Sequence, residues 1–310
     1  MENMRENPIM VSFIIPVYNA QNYLKECMES ILKIDSNNYE IILIDDGSSD
    51  DSRKICEEYS TKKCVHFFVQ QNKGVSAARN VGIRESQGKY VTFVDSDDKI
   101  CLLDFSFLET GLDLYCLGMS RFKDDSVTRI SFKEEKDVYK QFVKYPAYMN
   151  SMCNKFFKRQ KLIEWNSRMD ENLKYREDMV FVVSFIINQP RVEYIDCKYY
   201  LYRMNPNSAS KKKVSFEIVN NNIESCNKIL LLIDGRSKVL KEYLTIAPVM
   251  PLITDVTCYD YKLFKRRVKR PLIWKYSHNH YHQFMSLLAA ANLEFLCDLV
   301  ISIKRRLIAE

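Results

Sequence analysis

The chain has 310 residues, is 46% hydrophobic and 28% charged, and carries a net charge of +6. That is ordinary for a soluble globular protein able to bury a core, and it supplies no broad basic field for nucleic acid. Ten cysteines occur without a C-x-x-C pair, and residues 1–8 are polar with no signal-peptide core, so reduced thiols in a cytoplasmic protein fit better than disulfides or zinc.

Val11-Ser12-Phe13-Ile14-Ile15 reads as a buried strand ended by Pro16, and residues 22–32 have helical spacing through Tyr23, Leu24, Cys27, Met28, Ile31 and Leu32. Glu40-Ile41-Ile42-Leu43-Ile44 is a second strand, closed by Asp45-Asp46-Gly47-Ser48. Asp50 or Asp51 then caps a helix that runs to Tyr59. A third strand over 65–69, a third helix over 76–86 and a fourth strand over 90–94 follow, with Gly47, Gly74, Gly82 and Gly88 expected at loops. Strands alternating with helices at this spacing imply right-handed βαβ units and an α/β fold with a mostly parallel sheet.

From Leu112 the alternation lapses. Strands are predicted over 112–122 and 191–202, and helices over 137–145, 158–165 and 177–189. After Ser215 the pattern is mainly helical, punctuated by Pro248, Pro251 and Pro271, with a boundary near Lys213 in Lys211-Lys212-Lys213. The apolar stretch 284–303 contains Glu294 and Asp298. An acid near the centre of a spanning helix costs about 2.5–3.5 kcal/mol, so no segment reads as a membrane span.

The fourth strand runs into Asp95-Ser96-Asp97-Asp98. Carboxylates at that sheet rim repel one another unless a cation sits between them, and Mg²⁺ completes its shell with water and substrate phosphates. Pro16-Val17-Tyr18-Asn19 and Asp45-Asp46-Gly47-Ser48 end at the same rim. Tyr18 offers a ring face there and Asp46 can accept from a base N–H. The stretch from Asn72, Lys73 and Gly74 to Arg79 opens a helix beside them, where free backbone N–H groups and a guanidinium favour phosphate. Each residue also has an ordinary reading: Tyr18 as packing, Asp46 as a turn former, Arg79 as a surface charge.

Residues 12–19, 44–50, 74–82 and 88–98 together resemble the family 2 glycosyltransferases of bacterial surface-polysaccharide type. These have the nucleotide-sugar-binding α/β fold called GT-A. The resemblance implies that Asp46 pairs with the base, usually uracil, that Asp95 lies near ribose or metal, and that Asp97 holds Mn²⁺ or Mg²⁺ on the donor diphosphate. Pro16, Tyr18, Asn19, Gly47, Lys73, Gly74, Arg79 and Ser96 complete the expected nucleotide-sugar contacts. One departure is visible: Lys99 follows Asp98 where many relatives carry Trp.

In the second half, Cys153-Asn154-Lys155-Phe156-Phe157 and Tyr175-Arg176-Glu177-Asp178-Met179 resemble the acceptor side of that family, with Asn154, Lys155 and Arg176 as acceptor-side residues. The resemblance makes Asp178 the general base, and the neighbouring Glu177 charge is expected to raise its pKa. Arg203 and Ser208 are expected to close over the diphosphate. The implied layout is a tail over 1–9 and a GT-A domain over 10–213, with a nucleotide-binding half at 10–98 and an acceptor-side half at 99–213. A helical C-terminal extension over 214–310 follows.

The implied activity is inverting, metal-dependent transfer from a nucleotide sugar, UDP-linked, to a hydroxyl of a capsule, O-antigen or similar glycan. A nucleotidyltransferase and a non-catalytic nucleotide-sugar-binding component of a synthase complex stand as alternatives. Lys262-Leu263-Phe264-Lys265-Arg266-Arg267-Val268-Lys269-Arg270 and Lys304-Arg305-Arg306 suit docking at the inner membrane near a lipid-linked acceptor, or equally a solvated face or a partner subunit. His278, His280 and His282 alternate, but a region that reads as helical or irregular does not converge them on a metal.

Overall fold

A computed structural model describes residues 8–101, 104–123, 126–130, 138–204, 215–255, 258–267, 280–291 and 293–309. The chain divides into two compact units. The first comprises Met1–Glu134, Ala147–Asn172 and Glu177–Pro206, and the second Glu135–Pro146, Leu173–Arg176 and Asn207–Glu310.

The first unit opens with β1 (Val11–Val17), α1 (Leu24–Leu32), β2 (Tyr39–Asp45), α2 (Ser52–Ser60), β3 (Val65–Val69), α3 (Val75–Glu85) and β4 (Tyr90–Phe93). β1, β2 and β4 are buried along their whole length. That is why their sequences are continuous apolar runs and not alternating ones: helices cover both faces of a parallel sheet. Pro16 does not end β1. It stays in register with Ile44 of β2, while the ladder to β4 stops at Ile14 and Phe93, so the side of β1 beyond that point has no partner to miss the proline N–H. Gly82, expected at a loop, lies inside α3, where a Cβ would stand 2.3 Å from Cγ2 of Ile14. Its missing side chain lets α3 lie against β1.

The chain continues through β5 (Lys99–Ile100), β6 (Leu114–Lys123), β7 (Ser126–Arg129), α4 (Val138–Lys144, in the second unit), α5 (Pro146–Met149), β8 (Lys155–Lys158), α6 (Arg159–Glu164), α7 (Glu177–Ile186) and β9 (Val192–Arg203). The nine-stranded sheet has the order β3-β2-β1-β4-β8-β6-β9-β5, with β7 on β6. β1 to β4 are parallel, as is β6 with β9; β8 enters antiparallel between β4 and β6. The expected strands over 112–122 and 191–202 are β6 and β9. β8 falls in a segment that carried no strand signal, because four residues are too few for a periodicity. Phe93, Phe157, Phe181 and Phe185 stack edge to face under the site, at centroid separations of 5.2 to 6.1 Å.

The second unit holds α4, α8 (Phe216–Ile233), α9 (Lys238–Ile246), α10 (Pro251–Thr254), α11 (Tyr261–Arg267), α12 (His280–Ala290) and α13 (Glu294–Ala309). Ser215 and Ser237 cap α8 and α9 by accepting from Ile218 N and Leu240 N. Val219, Leu252, Phe264, Met285, Ala289, Cys297 and Ile301 contribute its core. Among the described residues no helix is long and apolar enough to cross a membrane.

Candidate active site

Three loops lie at the carboxyl ends of β1, β2 and β4, and the first two lock each other by side-chain bonds to backbone. Asn19, held at φ 49°, accepts through Oδ1 from Ser49 N at 2.8 Å, while its own N–H donates to Ser48 Oγ. Asp50 accepts from Gln21 N and from Ser52 N; the latter bond caps α2, whereas Asp51 makes no side-chain cap. Tyr18 is left half exposed, its ring open to solvent. Pro16 is buried behind it.

Asp46 is 4% exposed. Its Oδ1 accepts from Lys73 N and Gln70 Nε2, and its Oδ2 from Gly74 N, all at 2.7 to 2.8 Å. Gly74 takes φ 91°, which favours glycine, and from it α3 departs. Asp46 therefore fixes the mouth of α3 and keeps at most one lone-pair site for a ligand. Gly47 turns the chain at φ 74°, and the Lys73 side chain is exposed.

Asp95-Ser96-Asp97-Asp98 forms a tight turn closed by Asp98 N donating to Asp95 O at 2.9 Å. The three carboxylates have separate surroundings. Asp98, 1% exposed, accepts from Tyr200 O–H at 2.6 Å and Arg203 N at 2.7 Å. Burial, then the charges of Asp95 and Asp97, push its pKa well up. Asp95 accepts from Arg79 Nη2 at 2.7 Å and faces the Cys153 thiol. Asp97 is raised by burial and then by Asp95, against a hydrogen bond from its own backbone, and among the described residues no hydrogen bond reaches its carboxylate from another residue. Ser96 is half-buried beside it.

Arg79 is no surface charge. It is 5% exposed, paired with Asp95 and with Glu177 Oε1 at 3.6 Å, and its Nε has no hydrogen-bond partner among the described residues. Glu177 is pushed up to about 7 by burial and then by Asp178, against the pull of Arg79. The sequence predicts that the Glu177 charge raises Asp178; in the structure the Asp178 charge, after burial, raises Glu177. Asp178 accepts from Met179 N at 2.7 Å.

The expected acceptor-side residues have different surroundings. Asn154 and Lys155 are fully buried. Lys155 Nζ donates to the carbonyls of Tyr148 and Ser151 and to Asn154 Oδ1, and Asn154 Nδ2 to Leu117 O, so both brace the start of β8. Arg176 belongs to the second unit, where its Nε donates to Asn222 Oδ1. Ser208 lies outside the described residues, as do residues 268–270 and His278. Asp98 and Cys153 stand in motifs legible in the sequence but without a role of their own there, and Tyr200 and Glu26 carry no local signal.

A divalent cation fits this donor set. Carboxylate oxygens suit a hard ion, Asp97 keeps lone pairs that no other residue takes, and its charge and that of Asp95, which raises it, gain from a cation nearby. No three His, Cys, Asp or Glu side chains converge on one point among the described residues, so water and substrate would supply the remaining ligands.

The family model for glycosyl transferase family 2 matches residues 12–101, the span that contains all three rim loops and α3. Residues 12–101 thus carry the match to glycosyl transferase family 2. The chain is 30% identical over 217 residues to the uncharacterized glycosyltransferase EpsJ of Bacillus subtilis, covering 65% of this chain and 63% of EpsJ. It is 31% identical over 217 residues to the minor teichoic acid biosynthesis protein GgaB of the same organism, covering 64% of this chain and 23% of GgaB. The chain thus spans less than two thirds of either relative. The crystal structure of Staphylococcus aureus TarS 1–349 in complex with UDP is similar at a TM-score of 0.64 and 21% identity, over 91% of this chain and 89% of that one. The shared fold is that of the GT-A glycosyltransferases.

Proposed function

We propose that the protein is an inverting glycosyltransferase that moves a sugar from a UDP-sugar to a hydroxyl of a bacterial surface glycan. The observation that carries this reading is the Asp95–Asp98 turn, with an unclaimed Asp97 carboxylate under an arginine from β9: Arg203 Nε donates to Asp97 O at 2.7 Å. The GgaB likeness supports a wall or capsule polymer as the product, and the UDP in the TarS complex supports the nucleotide. The acceptor is read as lipid-linked, with peripheral contact at the cytoplasmic face of the inner membrane through the basic residues of α11.

In this reading Tyr18 stacks on the base, the remaining lone pair of Asp46 accepts its N–H, and Arg79 holds Asp95 toward the ribose. Asp97, with Asp95 behind it, would hold Mn²⁺ or Mg²⁺, and that ion would neutralise charge on the diphosphate. Arg203 adds a second positive charge at the leaving group. The acceptor oxygen attacks the anomeric carbon from the face opposite UDP. As the new C–O bond forms, the old one breaks with its electron pair going to the β-phosphate, and the acceptor proton passes to Asp178, with Glu177 tuning its basicity. Titration calorimetry with UDP and Mn²⁺ tests the reading. Uptake by the native protein and its loss in Asp97→Ala are expected; no uptake by the native protein refutes it. Asp178→Asn is expected to keep UDP binding and lose transfer, which separates an enzyme from a binding component.

A further inference from the structure

Arg203 does not stand free over the carboxylate turn. Its guanidinium lies 5.0 Å from the centroid of Tyr23 and 4.5 Å from that of Phe122, its Nε is bound to Asp97 O, and its Nη2 pairs with Glu26 Oε2. The other oxygen of Glu26 accepts from Lys99 Nζ at 2.6 Å, and Lys99 itself lies 4.4 Å over the Phe122 ring. One carboxylate on α1 thus engages two cations from β5 and β9, one on each oxygen. The cations are the sheltered members, with side chains 19% and 26% exposed against 49% for Glu26.

Arg203 and Lys99 are held by contacts independent of Glu26, namely the Asp97 carbonyl and the aromatic faces. Removing the Glu26 charge therefore leaves both in place, Lys99 having lost its paired carboxylate and Arg203 keeping only the charge of Asp97 nearby. A diphosphate offers the same acceptor chemistry as a carboxylate, with more charge, and bidentate pairing to arginine suits both. We infer that Glu26 is a resident counter-anion that occupies Arg203 and Lys99 until the donor diphosphate displaces it, and that Lys99 is a second diphosphate-binding cation. This rests on the rim being the donor site. Glu26 then lowers donor affinity in exchange for a site that is neutralised when empty and recloses on Arg203 as UDP leaves.

Calorimetry with UDP and Mn²⁺ on the full chain tests this. Partly exposed ion pairs of ordinary strength correspond to about 1.4- to fivefold in Kd, so Glu26→Gln should tighten UDP by that factor, with the gap narrowing at high salt. Lys99→Met should weaken it. Stopped-flow displacement should show slower UDP release from Glu26→Gln, which a merely structural role would not produce. Equal or weaker UDP binding by a folded Glu26→Gln, while the native protein binds, overturns this inference and leaves the functional reading standing. Absence of uptake by both proteins overturns the two together.

Discussion

Glu177 sits with its side chain 19% exposed, 3.6 Å from Arg79, and its carboxyl is raised from an ordinary 4.5 to about 7, by burial first and Asp178 second. Because the folded value lies above the unfolded one, its contribution to stability is fully present below about pH 4.5 and is lost as pH rises to about 7. At about 1.36 kcal/mol per pH unit, that interval amounts to about 3 kcal/mol. Glu177→Gln removes the buried charge while Asp95 still neutralises Arg79. The variant should therefore match the native protein near about pH 4 and exceed it by about 2–3 kcal/mol near about pH 8. Urea unfolding followed by fluorescence across that range reads the difference directly. A difference that does not change with pH, or a variant less stable at about pH 8, would refute the assignment of the raised carboxyl. The same substitution removes the negative neighbour of Asp178, so the rising limb of the transfer rate should move to lower pH.

Other consequences follow from single contacts. A Cβ on Gly118 would stand 1.7 Å from Cys197 O, where β6 and β9 shift register. Gly118→Ala should therefore cost about 3 kcal/mol or more in chemical denaturation, as overpacking that the backbone must absorb. Tyr200→Phe removes the O–H that donates to Asp98 and accepts from Asp95 N at 3.2 Å, which should destabilise by about 1–3 kcal/mol and weaken UDP binding as the turn loosens. Neutralising Lys262, Lys265 and Arg266 should abolish flotation with anionic liposomes; no flotation of the native protein at all ends the membrane reading.

Local chemistry in the sequence determined the first hundred residues. Apolar runs of fixed length, the Gly74 start of α3 and the acids after β4 act over a few residues, so their order along the chain was enough to place three loops at one rim. Tertiary packing decided the rest. Arg79 meets Glu177 across 98 positions, Arg203 meets Glu26 across 177, and β8 enters between β4 and β6, none of which has a local signature. The raised Glu177 carboxyl was decided there too, since a pKa sums the burial and charge of whatever packs nearby. The burial of Glu177 beside Arg79 comes from a segment 98 positions away in the chain.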